Sequence, residues 1–199
     1  GTQIYLENRL EQEDGRGPTG DVLPAGQGDK LMKFIVQGDA VTDNSAAPTA
    51  ATTYFQLPGT ADAPRITRTF KFERGNGQWQ INGKLAGDLS RVVAQPVRGR
   101  GEIWRLTNKS GGWWHPIHVH HEFLRVQKRN GKLPFDGAGR DFGQSVERDG
   151  LARKDTISLG PNSVVEVFVK YRDHTGPFVF HCHNMEHEDH AMMARFDVV

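Results

Sequence analysis

The sequence is poor in the features that would cross-link it or carry it into a membrane. Of its 199 residues only Cys182 is a cysteine, so no internal disulfide can form. The thiol is left as a small buried hydrophobe or as a chemical ligand. Apolar runs such as 163–169 and 177–180 fall far short of the ~20 residues that a spanning helix needs, so no membrane span is expected. Neither sign of charge dominates: 25 Lys and Arg stand against 24 Asp and Glu, a net charge of +1. Such a balance supplies no field for a polyanion, and no nucleic-acid partner is expected. The first residues, Gly1-Thr-Gln-Ile-Tyr5, show no charged region followed by an apolar stretch, so no secretory signal is legible there.

Turn formers are plentiful, with 23 Gly and 10 Pro. At ~150 residues per domain the length allows one domain and a remainder. Sustained helical spacing is missing except for a single turn around 184–190. Short β-type runs recur at 2–7, 31–37, 66–72, 79–81, 102–107, 123–128, 156–159, 164–170, 178–183 and 193–198. Their spacing predicts an all-β chain, an antiparallel sandwich or barrel. Between them, 46–64 is rich in Ala, Thr and Pro and reads as a linker. Residues 1–45 then look like the tail of another domain, and 65–199 form the main one.

All nine histidines lie between His115 and His190, and most fall in two clusters. The first is His115-Pro-Ile-His118-Val-His120-His121. The second is His181-Cys182-His183, continuing through His187 and His190 to Met192 and Met193. Alternate side chains of a strand share a face, so His118 projects with His120, and His181 with His183. Cys182 must point the other way. One strand thereby offers imidazoles to one site and a thiolate to another. Two His nitrogens, one Cys sulfur and a weak axial Met are the ligands of a blue copper centre. Cys182, His187 and Met192 follow in that order, and His115, offset from the His118/His120 face, can supply the second nitrogen. Zinc competes for Cys and His, but one cysteine among many histidines with a well-spaced Met favours copper.

At these residues the chain resembles the C-terminal cupredoxin domain of multicopper oxidases, the laccase, bilirubin oxidase and spore-coat oxidase group. His-Pro-Ile-His-Val-His and His-Cys-His-x-x-x-His-x-x-x-x-Met both occur intact. The resemblance covers 65–199, and more loosely 1–45 as closing strands of a preceding cupredoxin domain. It implies a Greek-key β-sandwich with type 1 copper on His115, Cys182, His187 and axial Met192. His118 would hold type 2 copper, and His120, His181 and His183 the type 3 pair. It also implies a secreted or periplasmic oxidoreductase that passes single electrons from a small reducing substrate, such as a phenol, a pigment or a metal ion, to dioxygen. Glu188 resembles the family's proton-delivering acid; a solvated acid on a short helix is the alternative.

The family completes its trinuclear cluster with histidines from two N-terminal His-x-His motifs, which this sequence lacks. The expected partner is an N-terminal chain or fragment of the same oxidase supplying those ligands. Two other classes compete: a single-copper electron carrier, which leaves four histidines unexplained, and a copper-storage domain without turnover. His121 is expected in the core or behind the ligands, His174 in a surface turn and His190 near the type 1 loop. Met193 is expected in the core, Met185 in packing or at the substrate rim, Trp113 and Trp114 in packing, and Arg148, Arg153 and Lys154 in solvent. Substrate-pocket residues are expected on loops such as 133–143. Asn108-Lys-Ser110 matches a glycosylation acceptor.

Overall fold

The computed structural model describes residues 1–19, 21–46, 65–87, 89–131, 140–141, 144–145 and 154–199, the two short pairs by backbone only. The linker expected at 46–64 lies almost wholly outside them, as do Arg148, Arg153 and most of the 133–143 loop.

Two five-stranded sheets make up most of the described part of 65–199. One has the order β11-β7-β13-β14-β5, formed by Thr156–Leu159, His115–Val119, Gly176–Cys182, Met193–Val198 and Val92–Ala94. The other runs β4-β3-β6-β12-β8, formed by Gln78–Ile81, Ile66–Gly75, Gly101–Lys109, Val164–Lys170 and Arg125–Arg129. The strands β6, β7, β8, β11, β12 and β13 fall alternately in the two sheets, and β14 returns beside β13, in the Greek-key manner of a cupredoxin β-sandwich. Two further strand pairs stand apart: β1–β2, Gln3–Asn8 with Asp29–Ile35, and the short β9–β10, Arg140–Asp141 with Gln144–Ser145.

Alternation of buried and half-buried residues in β7, β11 and β14 turns one face of each strand inward. The two sheets meet over an aromatic core. Phe70 sits 5.1 Å from Trp104 and 4.7 Å from Phe180, ring centre to ring centre, with Trp104 5.6 Å from Phe196. Each such side chain contributes roughly 1.5–3 kcal/mol by leaving water. The buried Glu102 carboxylate accepts from Trp104 Nε1 at 2.6 Å and from both Arg68 nitrogens at 2.7 and 2.8 Å, so no lone charge is left in that core.

One expectation is corrected. The sandwich is not purely antiparallel: β3 pairs parallel with β6, and β14 with β5. The connections from β3 to β6 and from β5 to β14 run through the opposite sheet rather than through a hairpin, which allows the parallel pairing.

Strands β1 and β2 present apolar side chains to solvent along most of their length, with Ile4, Leu6, Met32 and Phe34 each about half exposed. The segment following β1 nevertheless reaches the main sandwich. Trp114 N donates to Arg16 O at 2.8 Å, and Gly17, at φ +132°, lies so close to the Trp114 indole that a Cβ there would overlap it.

Candidate metal centre

Strands β7 and β13 carry the two histidine motifs side by side. Their antiparallel register sets His118 opposite His181 and Ile117 opposite Cys182. Since faces alternate, this single register sorts the motif residues into two groups.

The first group is buried. Cys182 Sγ lies 3.4 Å from Nδ1 of His115 and 3.4 Å from Nδ1 of His187, and those two nitrogens are 3.0 Å apart. His187 reaches the cysteine from the helix α1, Met185–Asp189. Asn184 caps it, its side-chain oxygen accepting from Glu186 N at 3.1 Å, and acids in the first turn suit the helix dipole. The expected single helical turn is therefore present. Ala191 at φ 62° reverses the chain into β14. Met192 N then donates to His187 O, and Cys182 N to Met192 O, both at 3.0 Å. Met192 is fully buried in the same core.

These three donor atoms are selected by their other contacts. His115 Nε2 is 2.7 Å from Ser110 Oγ, which fixes that ring and turns Nδ1 toward the cysteine. Burial, reinforced by His187, pushes His115 down to about 3; burial, then His190 and Arg74, pushes His187 down to about 4. Both rings are neutral near pH 7 and offer lone pairs. Burial pushes the Cys182 thiol up to about 12, which disables it as a free nucleophile at neutral pH. A soft cation among the three atoms would supply the charge that burial withholds from the thiolate.

The second group lies nearer the surface. Ligand atoms of His118, His120 and His181 all fall within 4.8 Å of one another, with His120 Nε2 3.2 Å from His181 Nε2. His118 Nδ1 is 3.2 Å from both Asp155 O and Thr156 Oγ1, and His181 Nδ1 is 3.2 Å from Cys182 O. Those contacts engage the δ nitrogens of His118 and His181 and leave Nε2 as the ligand atom of each ring. Burial and the charges of His118 and His181 lower the His120 pKa. His183 stands at the rim, more than half exposed, its ring 5.8 Å from His118 and 5.4 Å from His181. Glu188 spans the flanking pair, Oε1 3.4 Å from His181 Nδ1 and Oε2 3.7 Å from His183 Nδ1.

The remaining expectations divide. His121, at φ 83°, stacks on Phe178 at 4.5 Å, 10° from parallel, away from both groups. His174 and His190 are exposed, and Met185 is exposed too, so it does not pack in the core. Lys154 is half-buried and bridges to Leu124, so it is not simply solvated. Met193 is half-buried at the edge of a small cleft with Ile81 and Leu89 rather than in the core. Asn108 is corrected as a glycan acceptor: it is fully buried, and its amide donates to Trp113 O, Leu159 O and Gly160 O at 2.6, 3.2 and 2.9 Å. Sequence reasoning missed Trp79, whose ring centre lies 3.8 Å from that of His187. Only folding brings it there, since it arrives from β4 in the other sheet. The Ser110 contact had a faint local signal, a hydroxyl five residues before His115.

The multicopper oxidase family model matches residues 58–199. The chain is 33% identical over 177 residues to bilirubin oxidase of Albifimbria verrucaria, covering 85% of this chain and 28% of that protein. Over 174 residues it is 37% identical to a laccase of Haloferax volcanii, covering 84% and 28%. Its fold matches the multicopper oxidase McoA of Aquifex aeolicus with a TM-score of 0.68, at 22% identity over 98% of this chain and 40% of that one. The chain belongs to the multicopper oxidase family, and it spans 28% of the length of these two curated relatives. Copper is the metal that family implies, and the buried group, two neutral imidazole nitrogens and one sulfur, fits it by donor chemistry.

Proposed function

We propose that this chain is the C-terminal part of a multicopper oxidase that couples one-electron oxidation of phenolic, pigment or metal-ion substrates to four-electron reduction of dioxygen to water. The observation that carries this reading is the adjacency of the two histidine groups through Cys182. Its Sγ belongs to the buried group while His181, one residue back, belongs to the other.

In this reading His115, Cys182, His187 and Met192 would hold a type 1 copper. His118 belongs to type 2 copper and His120, His181 and His183 to the type 3 pair. Copper bound at these residues supplies reversible one-electron redox chemistry and a site for oxygen. The residues do the rest. The fully buried Cys182, His115 and His187 exclude water from the thiolate. The backbone of 181–183 joins the two groups covalently and gives electrons a short path. Glu188 lies beside both His181 and His183, 3.4 and 3.7 Å from their Nδ1 atoms, and sets a carboxylate against the pair. It is also an acid beside this group from which a proton can be passed to reduced oxygen.

Four histidines are too few for a trinuclear cluster, so an N-terminal chain or fragment of the same oxidase supplies the others. The short coverage of relatives supports this, as do the bare apolar faces of β1 and β2, which suit the closing strands of a preceding cupredoxin domain. An address outside the cytoplasm goes with the reading, and among the described residues no helix is long and apolar enough to cross a membrane.

Copper analysis and oxygen uptake on the assembled full-length protein test the proposal. Several coppers per protein and oxygen consumption with a phenolic donor are expected. A single copper without oxygen consumption would make it an electron carrier.

A further inference from the structure

Three rings crowd His187, which has no solvent-exposed surface of its own: His115, Trp79 and Trp113. Trp79 covers it most closely, at 3.8 Å between ring centres and 37° between planes. Trp113 meets Trp79 edge-on at 5.1 Å and lies 5.5 Å from His187. His115 and Trp79 are buried, so Trp113 is the ring of this set with exposed surface. An outside molecule therefore comes into electronic contact with His187 through the indole pair rather than by touching the imidazole.

Charge singles out what binds there. The exposed Arg74 guanidinium sits 5.1 Å from the Trp79 ring centre, and among the described residues no carboxylate lies within ion-pair distance of it. Arg16 stands 6.0 Å from the Trp113 ring centre. Its contact with Asp14, at 3.7 Å and with both side chains about 60% exposed, is a weak surface pair. A guanidinium stacked on an indole keeps its N–H edge free for a carboxylate or sulfonate. We propose that Arg74 with the Trp79–Trp113 pair forms a docking platform for anionic aromatic electron donors, the ring on Trp113 and the acidic group on Arg74.

No bond to the platform forms. The donor is oxidised by one electron, copper at the Cys182 group is reduced by one, and a phenolic donor's proton leaves to water. The electron's destination rests on the oxidase reading; recognition of the anion does not.

The test uses the full-length protein freed of copper and follows tryptophan fluorescence during titration with naphthalene-2-sulfonate and with naphthylmethylammonium. The sulfonate should bind roughly five- to tenfold more tightly than the ammonium, and Arg74→Gln should remove that preference. In the copper-loaded protein the same variant should lower kcat/KM for an anionic phenol relative to a neutral one by a similar factor. Equal binding of both probes, or a preference unchanged in Arg74→Gln, overturns the proposal. A lost preference with a normal thiolate–copper absorption leaves the oxidase reading standing; an intact preference with no such absorption removes the oxidase reading alone.

Discussion

His181 and Cys182 are consecutive in β13, yet their side chains serve different groups. The thiol lies 3.4 Å from Nδ1 of both His115 and His187, while His181 Nε2 lies 3.2 Å from His120 Nε2. The pleat of a strand is enough to produce this separation, and it makes the two groups independently breakable. His120→Ala should lower the copper content and cut oxygen uptake at least ~100-fold, since even the loss of a ligand's supporting contact costs 10–100-fold. The thiolate–copper absorption should persist, as read by visible spectroscopy of the same sample.

Glu188 touches both rings that flank the cysteine. Glu188→Gln retains an oxygen that can accept from one ring but loses the charge and the proton. Oxygen reduction should slow by roughly tenfold or more, with the visible absorption unchanged. Stopped-flow reoxidation of the reduced protein separates this step from substrate oxidation. Equal reoxidation rates in the two proteins would return Glu188 to the role of a solvated acid.

Asn108 fastens the end of β6 to the turn before the first histidine motif. Its amide donates to carbonyls of Trp113, Leu159 and Gly160, and its Oδ1 accepts from Ser110 N, whose hydroxyl steadies His115. Asn108→Ala removes these bonds from a buried place, leaving Gly160 O only its bonds from Ser163 N and Oγ, and should destabilise the protein by about 3 kcal/mol in a denaturant titration. Protein secreted from a eukaryotic host should carry no glycan at this position by mass spectrometry.

Gly17 combines φ +132° with close approach to Trp114. A side chain there is strained in the backbone and has no room beside the indole. Gly17→Ala should cost roughly 1–3 kcal/mol and loosen the segment that carries Arg16 away from Trp114. Thermal unfolding measures the cost, and hydrogen exchange at the Trp114 amide, which donates to Arg16 O, reports the loosening.

The part of this molecule legible in the sequence is the part governed by short-range periodicity. Strands at Thr156–Leu159, Val164–Lys170 and Met193–Val198 stand where β-branched and aromatic residues mark them, and the capped turn after Asn184 stands where its acids and asparagine place it. The facing of His118, His120, His181 and Cys182 follows from alternation alone. Long-range features were not legible. Val92–Ala94 is too short to show a period, and its parallel pairing with β14 depends on the chain's path through the other sheet. Trp79 reaches His187 across the sandwich, and Asn108 presented a surface motif while folding buried it.

The most direct test of the account is the visible and electron-spin-resonance spectrum of the copper-loaded full-length protein beside its Cys182→Ser variant. An intense sulfur-to-copper charge-transfer band in the parent, absent from the variant, is the predicted result. A copper-replete parent without that band would contradict the assignment of Cys182, and with it the path between the two groups.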